Sequence, residues 1–353
     1  METIRIDSMV KAHLDAVAPN TNLGDYFARQ LEYVESELRT VEYGPMKARN
    51  LIPFTSVAGD NKWYTWRLFD RVGSWRFGSS DMEDVPMVEI MGAELPIPIR
   101  MIAGGYKYNV QELLAAKQAA SNRPNDPSIQ IDVQRAKACF DAYEQWIDNT
   151  AWFADYTKTK WAGVGGLFYN PYIPTVATVA GVTNSNTKIH WFSSTGARQK
   201  EQVDILNDLN NLLKYIRVNS MDRYQADTIV MPINVHAMLT STPMSNDYPT
   251  KTIMTFFLEN HPEITTIETV VAANNVPAGG VLTTATDVIW AYKKSPDILK
   301  MENPRMFTQM PVQQRGFNYI IPCWATTAGV IIYKPLAMAF LTGVSANGIS
   351  DNT

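Results

Sequence analysis

Cysteine is almost absent from this chain of 353 residues. Only Cys139 and Cys323 occur, which excludes a disulfide framework and a cysteine-rich zinc site and suits a reducing compartment. Histidine is scarce as well. His13, His190, His236 and His261 are scattered, with no metal-ligand spacing among them. Charge is thin: Lys, Arg, Asp and Glu make up 19% of the residues, below the ~25% of an average soluble domain. The 31 basic residues face 35 acidic ones, a net charge of −4, which argues against gripping nucleic acid through a dominant basic face. No apolar run follows a basic start at Met1-Glu-Thr-Ile-Arg-Ile-Asp7, so no secretory signal is expected. The nearest approach to a membrane span, Tyr319 to Val344, is cut by Pro322 and Pro335. It reads as two buried strands meeting near Ala328-Gly329. A nucleophile elbow and a zinc-protease helix motif are also missing, so the sequence asks for no catalysis and no cofactor.

What is plentiful is apolar and aromatic. Hydrophobic residues reach 46% and aromatics 11%, with 16 Met and 9 Trp. The length exceeds the ~250–300 residues at which one core stops growing, so at least two lobes are expected. Protein interfaces are rich in aromatics and Met and poor in Lys and Glu. A large chain with this balance is expected to hide much of its surface against other subunits.

Along the chain, Tyr26, Phe27, Gln30, Leu31, Val34 and Leu38 recur at helical spacing among polar, Pro- and Gly-punctuated stretches. They mark either an arm or an ordinary first helix. Trp63-Tyr-Thr-Trp-Arg-Leu-Phe69 is strand-like, with Ala58-Gly-Asp-Asn61 as a turn before it and Trp75 and Phe77 beyond. Basic residues among these rings fit a single-stranded nucleic-acid platform. A twisted hairpin whose rings pack on something fits them better. Leu95-Pro-Ile-Pro-Ile-Arg100 belongs at a sheet edge or in a connector, because two prolines forbid a central strand. Asn109 and Glu112 have capping-box spacing before a helix that ends in Ser121–Pro127.

A long rod helix is expected from Ile131 to about Tyr156, with Ala136, Phe140, Tyr143, Ile147 and Ala151 on its apolar stripe. Cys139, Trp146 and Phe153 widen the stripe, and Cys139 is read as a buried, inert thiol. Fully buried, Phe140 would cost about 3–5 kcal/mol on truncation to Ala. Gly163-Val-Gly-Gly-Leu-Phe-Tyr-Asn-Pro171 lacks both the phosphate-loop and the dinucleotide spacing and is read as a tight turn. Helices are expected over Gln199–Val218, from Asn234, and over Thr250–Asn260. Strands are expected at Thr228–Met231, Val281–Thr284 and Val288–Tyr292.

The ordered set Leu95-Pro-Ile-Pro-Ile, Tyr106-Lys-Tyr-Asn-Val-Gln-Glu-Leu113, Gly166-Leu-Phe-Tyr-Asn-Pro171, Leu239-Thr-Ser-Thr-Pro243, Phe256-Phe-Leu-Glu-Asn260, Gln313-Gln-Arg-Gly316 and Cys323-Trp-Ala-Thr-Thr-Ala-Gly-Val-Ile331 resembles the major capsid proteins of tailed bacteriophages. That resemblance implies an α+β chain of the Hong Kong 97-type capsid fold. It implies an N-terminal arm (1–49), an extended β-hairpin loop (50–95), and a peripheral domain (96–195 and 305–345) with its spine helix at 131–156. An axial domain (196–304) and a C-terminal tail (346–353) complete the division. The implied function is to self-assemble as hexamers and pentamers of an icosahedral phage head enclosing double-stranded DNA. The location implied is the virion capsid, assembled in the host bacterial cytoplasm. No enzyme activity, cofactor or membrane is implied. Partners would be further copies, a portal, and scaffold or decoration proteins, with weak non-specific contact to DNA. Phe27, Leu31, Trp63, Tyr64, Trp66, Arg67, Phe69, Trp75 and Phe77 would be subunit contacts in arm and loop. Covalent crosslinking, known in part of the fold group, would use Lys62. The rival readings are an encapsulin-like nanocompartment shell and a soluble α/β enzyme without a recognisable motif.

Overall fold

A computed structural model describes residues 44–56, 61–78, 85–122, 131–182, 188–193, 197–245, 250–280, 282 and 285–345. The chain begins with α1 (Ala48–Leu51) and β1 (Phe54–Thr55), then β2 (Trp63–Val72), β3 (Glu89–Pro98) and β4 (Arg100–Asn109). Next come α2 (Val110–Asn122), the rod helix α3 (Ile131–Phe153) and β5 (Thr175–Ala177). They are followed by α4 (Gln202–Asn219), β6 (Thr228–Met231), α5 (Ile233–Ser241), α6 (Ile253–Asn260) and β7 (Thr266–Thr269). The last strands are β8 (Ile289–Tyr292), β9 (Leu299–Glu302), β10 (Arg305–Gln309), β11 (Gln313–Arg315), β12 (Asn318–Thr327), β13 (Gly329–Ile332) and β14 (Met338–Thr342). Two compact units result, Met1–Tyr43 with Gln111–Ile131, and Gly44–Val110 with Asp132–Thr353. The sheets all lie in the second.

Five strands in the order β5-β14-β8-β6-β7 make the main sheet. Successive side chains of a strand point to opposite faces, and here both faces are covered. Ile229, Met231, Ile289, Ala291, Ala339 and Leu341 pack with the apolar stripe of α4 (Ile205, Leu209, Leu212, Ile216) and with α5 and α6. Val230, Trp290, Tyr292, Met338 and Phe340 point the other way, toward Ile147, Ala151 and Trp152 of the rod helix. This is why β6 and β8 read as unbroken apolar runs rather than alternating ones. Trp152 stacks on Phe168, their ring centroids 5.6 Å apart, and meets Trp290 edge-on at 6.2 Å.

The glycine-rich turn closes the rod. Gly166, Leu167 and Phe168 donate their N–H groups to the carbonyls of Ala154, Ala151 and Trp152, satisfying the orphan acceptors of the helix end. A Cβ on Gly166 would lie 2.6 Å from the Ala154 nitrogen, so only glycine allows this approach. The rod therefore stops at Phe153 rather than Tyr156.

Two expectations need correction. The closing apolar stretch is three strands in three sheets, not a pair: β12 joins β4, β10 and β11, β13 joins β9, and β14 joins β8 and β5. The chain changes sheet at Gly329, whose φ of +75° and contact with Gly165 leave no room for a side chain. β5 and β14 extend the sheet of β6 and β8, while β9 pairs with β1 and β13. Ala48 is buried in the core; its N–H donates to Asp148 Oδ1 at 2.9 Å, and Arg49 forks onto Glu144 at 2.6 and 2.7 Å. Finally, Phe140 is 44% exposed beside Phe307 and Tyr143. The cost of about 3–5 kcal/mol expected for a fully buried ring does not apply to it. Of the strand expected at Val281–Thr284, only Leu282 is described, and it makes an isolated bridge with Gly279.

Candidate subunit-contact site

Among the described residues β2 and β3 pair only with each other, as a two-stranded antiparallel ribbon running from Trp63↔Pro98 to Val72↔Glu89. Pro96 and Pro98 are tolerated because a ribbon has two free edges and needs no donor there.

Burial along β2 divides the ribbon in two. In its first turns Tyr64 and Trp66 are half-buried while their neighbours are exposed, the period-2 pattern of a strand resting on one face. From Arg67 onward every residue of β2 is exposed, on both faces. The ribbon is rooted on the body and then leaves it.

The root is a mixed aromatic and ionic cluster. Tyr64 and Tyr333 hydroxyls are 2.9 Å apart, and Trp66 meets the Tyr333 ring edge-on at 5.1 Å. Lys300 of β9 lies over both tyrosine rings, 5.0 Å from Tyr64 and 5.7 Å from Tyr333. Its ammonium is 3.0 Å from Glu302 Oε2, which also accepts from the Thr55 hydroxyl at 2.6 Å. Burial works against the Lys300 charge, but hydrogen bonds to Glu302 and Tyr64 and the Glu302 charge raise its pKa above the usual lysine value. Burial, then the hydrogen bond with Tyr64, raises the Tyr333 phenol. At neutral pH Lys300 is thus an ammonium and the Tyr333 phenol keeps its proton. Tyr333→Phe should remove one hydrogen bond, for a loss of about 1 kcal/mol in urea unfolding. Hydrogen exchange at the root amides of 63–66 should quicken relative to the main sheet.

Beyond the root the apolar side chains are exposed, with little packing against the other described residues. Phe69 is 67% exposed, Trp75 95% and Phe77 fully so, with Leu68, Met87 and Ile90 also exposed. Trp63 is exposed at the ribbon's start, and Arg67 holds Glu94 at 2.7 Å across the two strands, in solvent. Lys62 stands exposed just before β2. Phe27 and Leu31 lie outside the described residues. Of the residues expected to contact a neighbour, Tyr64, Trp66 and Arg67 make contacts within their own chain, while Trp63, Phe69, Trp75 and Phe77 are exposed among the described residues. Sequence reading missed Lys300, Glu302 and Tyr333, whose only signal is their fold-level proximity to Tyr64.

A cavity of about 460 Å³ is lined by Asn210, Leu213, Arg217, Met221, His261 and Glu263 among others. His261 contacts Glu263 Oε1 through Nδ1 at 3.0 Å and Asn210 Oδ1 through Nε2 at 2.9 Å, and no hydroxyl or thiol lines the space. Burial pushes the Glu263 carboxyl up, but the hydrogen bond to His261 and the charges of His261 and Arg217 leave it below the usual range. Among the described residues no cluster of three or more His, Cys, Asp or Glu could hold a metal ion. No described helix is long and apolar enough to cross a membrane.

The model of a family described as major capsid protein matches residues 76–344. The solved capsid of Myoviridae phage XM1 is similar at 21% identity and a TM-score of 0.69, covering 90% of this chain and 98% of that one. A Mycobacterium phage Adephagia structure is similar at 9% identity and a TM-score of 0.55, covering 93% and 98%. The capsid of a native GTA particle gives 11% identity and a TM-score of 0.54, covering 92% and 99%. Comparison with curated protein sequences gives no match.

Proposed function

The chain belongs to the major capsid protein family and has the Hong Kong 97-type fold of tailed-phage shells, and from that premise we propose that the β2–β3 ribbon is the element that reaches a sister subunit. Its role is structural, as a component of the virion capsid. The observation that carries the ribbon's part is its exposure. A two-stranded ribbon is marginal in water by itself, and this one presents apolar side chains on both faces past Arg67. Contiguous exposed apolar patches of several hundred Å² mark interaction sites.

In this reading the copies gather as hexamers and pentamers of an icosahedral head around double-stranded DNA, and each ribbon lies over a neighbour. The low charge content and the free rings suit a wall whose subunits give much of their surface to one another. A portal, scaffold or decoration protein would meet the shell from outside this chain. Neither the nanocompartment shell nor the soluble enzyme is favoured by the family match.

Electron microscopy of the purified full chain tests the proposal, with sedimentation at several concentrations. Closed shells or rings that grow with concentration are the expected result. A species that stays monomeric at all concentrations, its ribbon amides protected from exchange, would overturn it.

A further inference from the structure

The two cysteines, far apart in sequence, meet between the rod helix and the sheet beneath it. Cys139 is half-buried on α3 and Cys323 is buried on β12, and both are free thiols. They line one cavity of about 320 Å³ with Gly104, Ala142, Trp146 and Trp324. The Cys323 thiol lies 3.9 Å from the Ile321 carbonyl, and Cys139 is near enough to help raise its pKa. Directly across the β4–β12 ladder from Cys323 stands Gly104, where a Cβ would meet nothing within 4 Å. Facing residues of paired strands project to the same side, so that open space lies beside the Cys323 sulfur and leaves it room to rotate.

We propose that Cys139 and Cys323 form a redox pair that closes to an intrachain disulfide and staples the rod helix to β12. The oxidant is a small-molecule disulfide. Cys139, the more accessible of the two, attacks it as the thiolate. One reagent S–S bond breaks, a mixed disulfide forms on Cys139, and the first small thiolate leaves. Cys323 then gives up its proton and its sulfur attacks the Cys139 sulfur, expelling the second small thiolate. Two protein S–H bonds are replaced by one S–S bond, and the two electrons and two protons end on two small thiols. Burial pushes the Cys323 thiol up to about 11, so this second step limits the rate near neutral pH.

The staple suits a particle that forms in a reducing cell and then leaves it, since the thiols would stay open during folding and close afterwards. It requires no contact between copies, so its failure would leave the shell reading untouched.

The test uses the full-length chain with oxidised glutathione, read by non-reducing peptide mapping. A crosslinked Cys139–Cys323 peptide pair is expected, forming about tenfold faster per pH unit between pH 7 and 9, as the thiolate fraction of a group well above that range dictates. The Cys139→Ser variant should leave Cys323 unmodified. The proposal is overturned if Cys139 remains glutathionylated without closing, or if crosslinks join separate chains. It also fails if closure is no faster in the folded chain than in urea.

Discussion

With Trp75 and Phe77 both replaced by Ala, the chain should fold normally and fail to build shells at concentrations where the parent does so. Neither ring is buried among the described residues. Trp75 is 95% exposed and Phe77 fully so, and surface changes of this kind move stability by about 0.5 kcal/mol or less. Against a neighbour the account reverses. A ring that buries ~150 Å² contributes roughly 4 kcal/mol at ~25 cal/mol per Å², of which side-chain ordering and imperfect packing return a part. Two such anchors losing about 2 kcal/mol each amount to about a thousandfold in each pairwise association. Because a shell repeats that contact in every subunit, the loss compounds. Thermal melting by circular dichroism should show the same Tm as the parent, while sedimentation velocity shows only small species. Parent-like particles from the double variant would remove these rings from the interface. A lowered Tm would return them to the subunit's own core.

The choice of Trp75 and Phe77 rather than Trp63 and Trp66 rests on the root cluster. Trp66 touches Tyr333 of its own chain, so truncating it would weaken the fold and the contact together. Nothing in the local sequence separates the two classes of ring. Alternation along Trp63-Tyr-Thr-Trp-Arg shows that two faces exist. Which face meets the parent subunit is decided by Lys300 and Tyr333, and the Tyr64–Tyr333 hydrogen bond spans 269 positions.

The same contrast runs through the fold. Thr228–Met231 is legible as a buried strand because it is four apolar or β-branched residues bounded by Pro232, and the stripe of α4 is legible from its period. Local pattern suffices where the partner is generic. It does not suffice for pairing. The ten-residue ladder of β4 with β12, and the parallel contact of β1 with β9, join segments whose own sequences announce only that they are extended. The glycine-rich turn is an intermediate case: its tightness is visible in Gly163-Val-Gly-Gly166, its role as the cap of the rod helix is not. The Cys pair belongs with the pairings, since periodicity places Cys139 on an apolar stripe and says nothing of Cys323. Membership of the capsid family was readable because an ordered series of short motifs encodes the long-range arrangement that no single motif carries.

The largest effect on folding should come from Asp208→Ala. Asp208, on α4, is buried, and its Oδ2 accepts from Lys200 Nζ at 2.5 Å and from the indole N–H of Trp191 at 2.7 Å, while Oδ1 receives the Val179 N–H at 3.4 Å. One carboxylate thereby fixes three segments that have no strand pairing with α4. Lys200 is 2% exposed, and without Asp208 the Val179 carbonyl, 2.5 Å away, would be its one remaining partner among the described residues. Leaving a buried ammonium uncompensated costs about 3–5 kcal/mol, and the orphaned indole N–H adds about 1–3. That is a large share of the 5–15 kcal/mol typical of a whole domain, so the variant should be largely insoluble, or unfold at much lower urea. The pair is a specifying contact more than a stabilising one. Charges removed together leave no unpaired ion, and a well-packed apolar replacement of a buried pair is often neutral or better. The double variant Lys200→Met with Asp208→Leu should therefore recover most of the lost midpoint, short of the indole hydrogen bond. A double variant no more stable than Asp208→Ala alone would mean that the carboxylate acts through Trp191 and Val179, with the lysine incidental.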